Sequence, residues 1–327
     1  MSGPDLRPLG RSGLATPPLA LGGNVFGWTA DEKTSFEILD RFVGGGFSLI
    51  DTADIYSNWV PGNVGGESET VIGKWLKSRG QRERVLVATK VCGDMGADGK
   101  GLSASHIKRA VEASLRRLQT DYIDLYQSHY DDPDTPFEET LGAYAELIAQ
   151  GKVRAIGASN HSVPRLKAAL EVSKAHGLPR YETLQPLYNL YDRQEFEQNL
   201  GPLCRDEGLG VISYYPLASG FLTGKYRTEA QVMASRRRSN QRYFNSRGKR
   251  VLEAMDAVAT RIGAPLAQIA MAWLIARPDV TAPIASVTST GQLDELFAAT
   301  SLTLDPDALA ALDAASAQEP EAEKAAT

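Results

Sequence analysis

The feature that most constrains this chain is a rhythm. A short apolar run stops at a polar residue, a stretch with helical period follows, and the unit recurs eight times. The apolar runs fall at residues 19–21, 47–50, 85–88, 123–127, 155–158, 183–185, 211–214 and 280–284. Helical patterns follow at 34–43, 67–76, 103–118, 136–148, 164–175 and 194–205, with pairs of helices at 249–262 and 266–276 and at 292–299 and 307–314. Ser68 reads as the N-cap of the second helix, and residues 216–246 have no period and read as a long irregular segment. Ahead of the repeats, residues 6–14 place two short arms around a glycine turn, the pattern of a small β-hairpin.

Strands that alternate with helices pair in parallel, because each helix is long enough to cross back over the sheet. Eight such units predict a (β/α)8 TIM barrel with an N-terminal β-hairpin and extra C-terminal helices. The competing architecture is a doubly wound sheet carrying a dinucleotide, which needs G-x-G-x-x-G directly after a strand. Here Gly44-Gly45-Gly46 precedes a strand instead. No Gly/Ser or Pro linker splits the repeats, so residues 1–315 read as a single domain and the polar residues 316–327 as a disordered tail.

With 35 basic against 40 acidic residues, the net charge of -5 predicts no nucleic-acid partner. The basic cluster Arg236, Arg237 and Arg238 reads as a solvated loop or as a phosphate contact. Cys92 and Cys204 lack metal-ligand spacing and suit a reducing compartment. No apolar run has the length of a signal or a membrane span, so the expected setting is the cytoplasm, with no membrane partner. Four histidines, His106, His129, His161 and His176, are too few for a histidine-rich metal site, and no metal is expected.

In such a barrel the chemistry gathers at the carboxyl ends of the strands. Those ends carry Asp51, Lys90, His129, Ser159, Asn160, Gln185 and Tyr214, with Tyr56 just beyond the first. Each residue alone has an ordinary structural reading. Three ionisable groups at three successive strand ends make a site. A tyrosine, with a pKa of about 10, is a poor acid unless its phenolate is stabilised. A lysine ammonium within about 4–6 Å supplies that stabilisation. An aspartate would hold the lysine charged, and a neutral histidine would hydrogen-bond a substrate oxygen. This set protonates a carbonyl oxygen, and the carbonyl carbon then needs a hydride, which implies a nicotinamide cofactor.

The hairpin R-P-L-G-R-S-G-L, then D-T-A-D-I-Y, a strand-end T-K, D-L-Y-Q-S-H, G-A-S-N, Q-P-L-Y-N and Y-Y-P-L-A-S-G-F-L-T-G-K-Y occur in that order. In order and spacing the chain resembles the aldo-keto reductase superfamily over nearly its whole length, and I-A-S-V-T-S-T-G-Q-L-D-E looks like that family's cofactor-closing segment. The resemblance implies Tyr56 as general acid/base, Lys90 as the residue that lowers its pKa, Asp51 as the lysine's partner and His129 as the group that orients the carbonyl. It implies Ser159, Asn160 and Gln185 as a clamp on the nicotinamide carboxamide, and Tyr214 as an aromatic stacked on its ring. Leu217 and Ser219 would cover the pyrophosphate, and Gln292 and Glu295 would lie near the adenosine.

The chain departs from the family where Ser286, Thr288 and Gln292 replace the Lys or Arg that many members set against a 2′-phosphate, and where Leu296 replaces a common Asn. NADP(H) is the family default and NAD(H) the alternative; the arginines at 236–238 or Arg242 are candidates to replace the missing charge. The expected partner is a small carbonyl compound, and the oligomeric state is not encoded. Trp28, Trp59 and Tyr130 read either as pocket lining or as packing, and residues 59–66 as a lid or an insertion. The family also contains potassium-channel β subunits, so the second reading is a cofactor-binding regulatory subunit with little turnover.

Overall fold

The computed structural model describes residues 5–233 and 238–318, so Arg236, Arg237 and most of the expected tail lie outside the described residues. The chain opens with an antiparallel hairpin of β1 (Arg7–Pro8) and β2 (Ala15–Thr16), in which Leu9 N–H donates to Leu14 O at 2.9 Å. Eight parallel strands follow: β3 (Ala20–Gly22), β4 (Leu49–Asp51), β5 (Leu86–Val91), β6 (Ile123–Ser128), β7 (Val153–Ser159), β8 (Tyr181–Gln185), β9 (Gly210–Val211) and β10 (Ile284–Ala285). They pair in chain order, and β10 returns to β3. The remaining seam closes where Thr281 N–H and Ala282 N–H donate to Val211 O (2.8 and 3.2 Å) and Ile284 N–H to Ser213 O (2.8 Å). The ring is the expected (β/α)8 architecture.

The barrel interior explains why the hairpin is there. Ala20, Leu49, Ala88, Leu125, Ala155, Ile212 and Ala282 form one buried cluster with Leu9 and Leu14 of the hairpin. The hairpin thus plugs the end of the barrel at which the strands begin. The Arg7 guanidinium ties it down by donating to Val280 O (2.9 Å) and Ile275 O (3.0 Å). Gly210 permits the close approach, since a Cβ there would lie 2.6 Å from Gly10 N and 3.0 Å from the Leu9 backbone. Gly210→Ala is therefore expected to cost about 1–3 kcal/mol of stability by overpacking, read as a lower Tm, with kcat unchanged because the contact lies at the opposite end from the strand carboxyl termini.

The helices around the ring are α1 (Glu32–Gly44), α2 (Glu67–Arg79), α3 (Ala104–Leu118), α4 (Phe137–Ala149), α5 (Val163–His176), α6 (Gly201–Glu207), α7 (Glu229–Met233), α8 (Ser246–Ile262), α9 (Leu266–Ile275), α10 (Thr290–Thr300) and α11 (Pro306–Ser316). Side-chain caps start several of them: Asp31 accepts from Thr34 N–H, Ser103 from His106 N–H and Asp305 from Ala308 N–H.

Three sequence expectations need correction. Ser68 is not a cap, because α2 begins after Gly66, which takes a left-handed φ of 83°; the Ser68 hydroxyl points inward, donating to Gly23 O (2.7 Å) and accepting from Thr52 (2.8 Å). The helix expected over 194–205 is present and runs on through α6, with a π turn at Phe196–Leu200 inside it. The eighth strand begins at Ile284 rather than residue 280, Pro283 being unable to donate to a ladder. The seventh ends as a ladder at Val211, although Tyr214 N–H still reaches Pro186 O at 2.9 Å.

Residues 216–246 are also less irregular than their pattern suggests. They contain 3-10 turns at Ala218–Thr223 and Arg238–Tyr243, with α7 between them. Buried Asn240 donates to Ser219 O (3.0 Å), and the Tyr243 ring stacks on Phe221 at 5.0 Å. This order comes from anchoring contacts, which leave no period. No single helix among the described residues is long and apolar enough to cross a membrane.

Candidate active site

Asp51 closes β4 and Lys90 lies near the end of β5, neighbouring strands, so the two side chains enter the barrel mouth side by side. The Lys90 ammonium is fully buried and uses all three protons: to Asp51 Oδ2 (2.7 Å), Thr52 O (2.8 Å) and Tyr56 Oη (3.1 Å). The other Asp51 oxygen accepts from Gln185 Nε2 (2.8 Å) and Gln127 Nε2 (3.3 Å). The pair is therefore held on both sides rather than buried bare. Since lysine donates to the phenol oxygen, the phenol's own hydrogen is left to point elsewhere.

Burial drives the electrostatics. Desolvation pushes the Tyr56 phenol up to about 12, and the Lys90 charge only partly offsets it. Burial would by itself lower the Lys90 ammonium, but Asp51 and Tyr56 outweigh it and hold the group above its ordinary value. The expected acidifying effect of Lys90 on Tyr56 is thus present in sign yet smaller than the cost of burying a phenolate. His129, just after β6, sits with its ring 5.9 Å from that of Tyr56. Burial, and secondarily Lys90, keep its imidazole well below the usual range, so it is neutral. Its buried Nδ1 has no hydrogen-bond partner among the described residues.

The residues expected to hold a nicotinamide carboxamide are linked to each other. Ser159 Oγ donates to Gln185 O (2.9 Å), Asn160 Nδ2 to His129 O (2.9 Å) and Ser159 Oγ (3.1 Å), and Tyr214 Oη to Asn160 Oδ1 (2.9 Å). Asn160 adopts a left-handed φ of 54°, which asparagine tolerates. Gln185 is committed to Asp51 as well, so it belongs to the lysine's support as much as to the clamp. Beyond Tyr214 the backbone takes a positive φ at Tyr215 (56°), Ala218 (47°), Ser219 (54°) and Gly220 (93°), and the Ala218 and Gly220 N–H groups donate to Tyr215 O (2.9 Å) and Leu217 O (2.8 Å).

Across the mouth, α10 begins at Ser289, whose hydroxyl accepts from Gln292 N–H. The Gln292 side chain turns back to accept from Thr288 N–H (2.8 Å), Glu295 is exposed, and Leu296 is buried in the core rather than facing the mouth. Ser286 Oγ donates to Asn24 Oδ1 (2.5 Å). Arg242 is taken up by Asp192 (3.1 Å) and Tyr243 Oη (2.5 Å). These amides and hydroxyls and the helix N-terminus suit a dinucleotide: a carboxamide needs donors and acceptors together, and the phosphates need N–H groups.

The aromatic residues do gather at the mouth. Trp59 packs edge-on against Tyr56 (5.6 Å) and Trp28 (6.1 Å), and Tyr130 stacks on His129 (4.5 Å). All three remain close to half exposed. The 59–66 loop is pinned at its far end by Glu67, whose carboxylate accepts from Ser57, Val64 and Gly65 N–H groups. Sequence reading missed Gln127 and the Thr52 carbonyl as supports of the Asp51–Lys90 pair. Gln127 is two residues before His129 on β6, and that spacing, which repeats the strand's inward face, was the available signal.

A family model described as Aldo/keto reductase family matches residues 18–317. Similar proteins include one from Bacillus subtilis named uncharacterized oxidoreductase YrpG, 37% identical over 93% of this chain and 94% of that protein. The aldo-keto reductase YhdN of the same species is 36% identical over 91% and 87%. A rice (Oryza sativa subsp. japonica) protein named probable voltage-gated potassium channel subunit beta is 34% identical over 88% of each chain.

Proposed function

Because the chain belongs to the aldo/keto reductase family of nicotinamide-dependent oxidoreductases, we propose that it reduces aldehydes or ketones to alcohols, with Tyr56 as the proton donor. The observation that carries this reading is the Lys90 ammonium, with its three protons fixed on Asp51, Thr52 O and Tyr56 Oη. The free O–H of Tyr56 meets a carbonyl oxygen in the mouth, and neutral His129 holds that oxygen from beside the phenol ring. A bound reduced nicotinamide supplies the hydride to the carbonyl carbon. As negative charge develops on the oxygen, Tyr56 releases its proton to it and the resulting phenolate is met by Lys90, already aimed and already desolvated. Asp51, Gln127 and Gln185 keep the ammonium from following the proton.

Ser159, Asn160 and Gln185 are proposed to orient the carboxamide, Tyr214 to face the ring, Leu217 and Ser219 to cover the pyrophosphate, and Gln292 and Glu295 to border the adenosine. Residues 1–315 would act as one catalytic domain, and the buried free thiols of Cys92 and Cys204 suit a reducing cytoplasm. The reading is tested by following NADPH and NADH oxidation with a panel of aldehydes and ketones. One alcohol formed per cofactor oxidised is expected, and tight cofactor binding without turnover on any carbonyl would favour a regulatory subunit instead.

NADP(H), the family's usual cofactor, is the proposed one, but with weak discrimination. The turn from β10 into α10 offers hydroxyls and an amide in place of a cation, and Arg242 is engaged elsewhere. With no lysine or arginine from this turn on the 2′-phosphate, NADPH should bind no more than about tenfold tighter than NADH, one charge-assisted contact being worth about 1.5–3 kcal/mol. A ratio above about a hundredfold in the two dissociation constants would require a cation that this turn does not provide.

A further inference from the structure

Asp54 sits in the turn after β4, two residues before Tyr56, and takes no part in the proton transfer proposed for Lys90 and Tyr56. Its N–H donates to Lys90 O (3.3 Å), its Oδ1 accepts from Ile55 N–H (2.7 Å), and its own carbonyl is closely covered by Gly65, where a Cβ would sit 3.1 Å away. The side chain therefore underpins the turn that carries Tyr56. It is 2% exposed, and Oδ2 has no hydrogen-bond partner among the described residues. A carboxylate in that position would be an unpaired buried charge.

The groups that face it offer no relief. Glu69 of α2 is fully buried and takes both Thr89 Oγ1 (2.6 Å) and Arg117 Nε (2.7 Å). Arg117 of α3 also donates to Ser114 Oγ (3.2 Å), and all three Lys90 protons are committed. Tyr126 of β6 and Cys92 after β5 also feel Asp54 electrostatically, and the buried Tyr126 hydroxyl likewise has no partner among the described residues. Two carboxyls thus share one arginine, and Glu69 holds it. Burial first, and the Glu69 charge second, push the Asp54 carboxyl up to about 8.

We propose that Asp54 is a positioning residue for Tyr56: as the neutral acid it stays packed under the turn and holds the phenol on Lys90, and as the carboxylate it moves out to water and draws the phenol away. The proton leaves to solvent, and no other group need change. Only the consequence for turnover rests on Tyr56 being the proton donor; the movement of the turn does not.

Trp59 reports that movement, since its ring packs 5.6 Å from that of Tyr56. Tryptophan emission of the full chain, titrated from about pH 6 to pH 10, is expected to change with a midpoint near pH 8, with kcat for carbonyl reduction falling over the same interval. Asp54→Asn, permanently neutral, should remove the emission change and flatten the ratio of kcat above the transition to kcat below it. Glu69→Gln, which withdraws the like charge and frees Arg117, should lower the midpoint by at least about one pH unit. A wild-type protein with no transition, a transition that survives in Asp54→Asn or Trp59→Phe, or a midpoint unmoved by Glu69→Gln would each overturn the proposal. The expected emission change in a protein that reduces no carbonyl would overturn the proposed function and leave the positioning role standing.

Discussion

Replacing Tyr56 with phenylalanine is expected to lower kcat for carbonyl reduction by about 10²–10⁴-fold, the usual contribution of a positioned general acid. The substitution removes one oxygen. The ring keeps its contacts with Trp59 and His129, so the mouth should hold its shape. What is lost is the proton delivered to the carbonyl oxygen and the anion that Lys90 is aimed to receive. Because that interaction strengthens only in the transition state, kcat and kcat/KM should fall together, and the cofactor dissociation constant should stay within about twofold. Steady-state kinetics and a cofactor fluorescence titration check the two halves separately. Retained turnover would remove Tyr56 from the mechanism.

Lys90→Met is expected to damage both stability and activity. It leaves the Asp51 carboxylate buried with only the Gln185 and Gln127 amides, and breaking a buried pair from one side costs about 3–5 kcal/mol. The folded-state pKa of Lys90 is raised, so the stability it contributes is present below the unfolded value of 10.5 and is lost as pH rises through the folded value. That alkaline loss should be absent from the Met variant. Asp51→Asn combined with Lys90→Met removes the orphaned charge and should recover much of the Tm, but not kcat, since no ammonium then faces the phenol. Thermal unfolding beside kinetics separates these effects. Restored turnover in the double variant would show that the lysine serves only the fold.

The eight repeats and the strand-end residues were legible because both follow from period. An inward-facing strand end is a fixed place in the sequence, and Asp51, Lys90 and His129 occupy three successive ones. Contacts that join distant segments leave no such trace. Gln127 and Gln185 converge on Asp51 across the barrel, and Asn240 and Tyr243 order the 216–246 segment by reaching back to Ser219 and Phe221. Asp54 steadies its own turn, its Oδ1 accepting from Ile55 N–H. Its burial opposite Glu69 depends on how α2 and α3 pack, which the local sequence does not encode. Ser68 misled for a related reason: a serine at the start of a helix reads as a cap, whereas tertiary packing turned it toward Gly23 and Thr52.

The central claim is that hydride passes directly to a carbonyl carbon while Tyr56 protonates the oxygen. It is tested most directly by supplying NADPH deuterated at nicotinamide C4 with an aldehyde in ordinary water and locating the label by NMR. The account predicts deuterium on the carbinol carbon of the product in step with cofactor oxidation, and loss of that product in the Tyr56→Phe variant. Solvent hydrogen on the carbinol carbon, or a bound cofactor that keeps its label while the aldehyde remains, would contradict it.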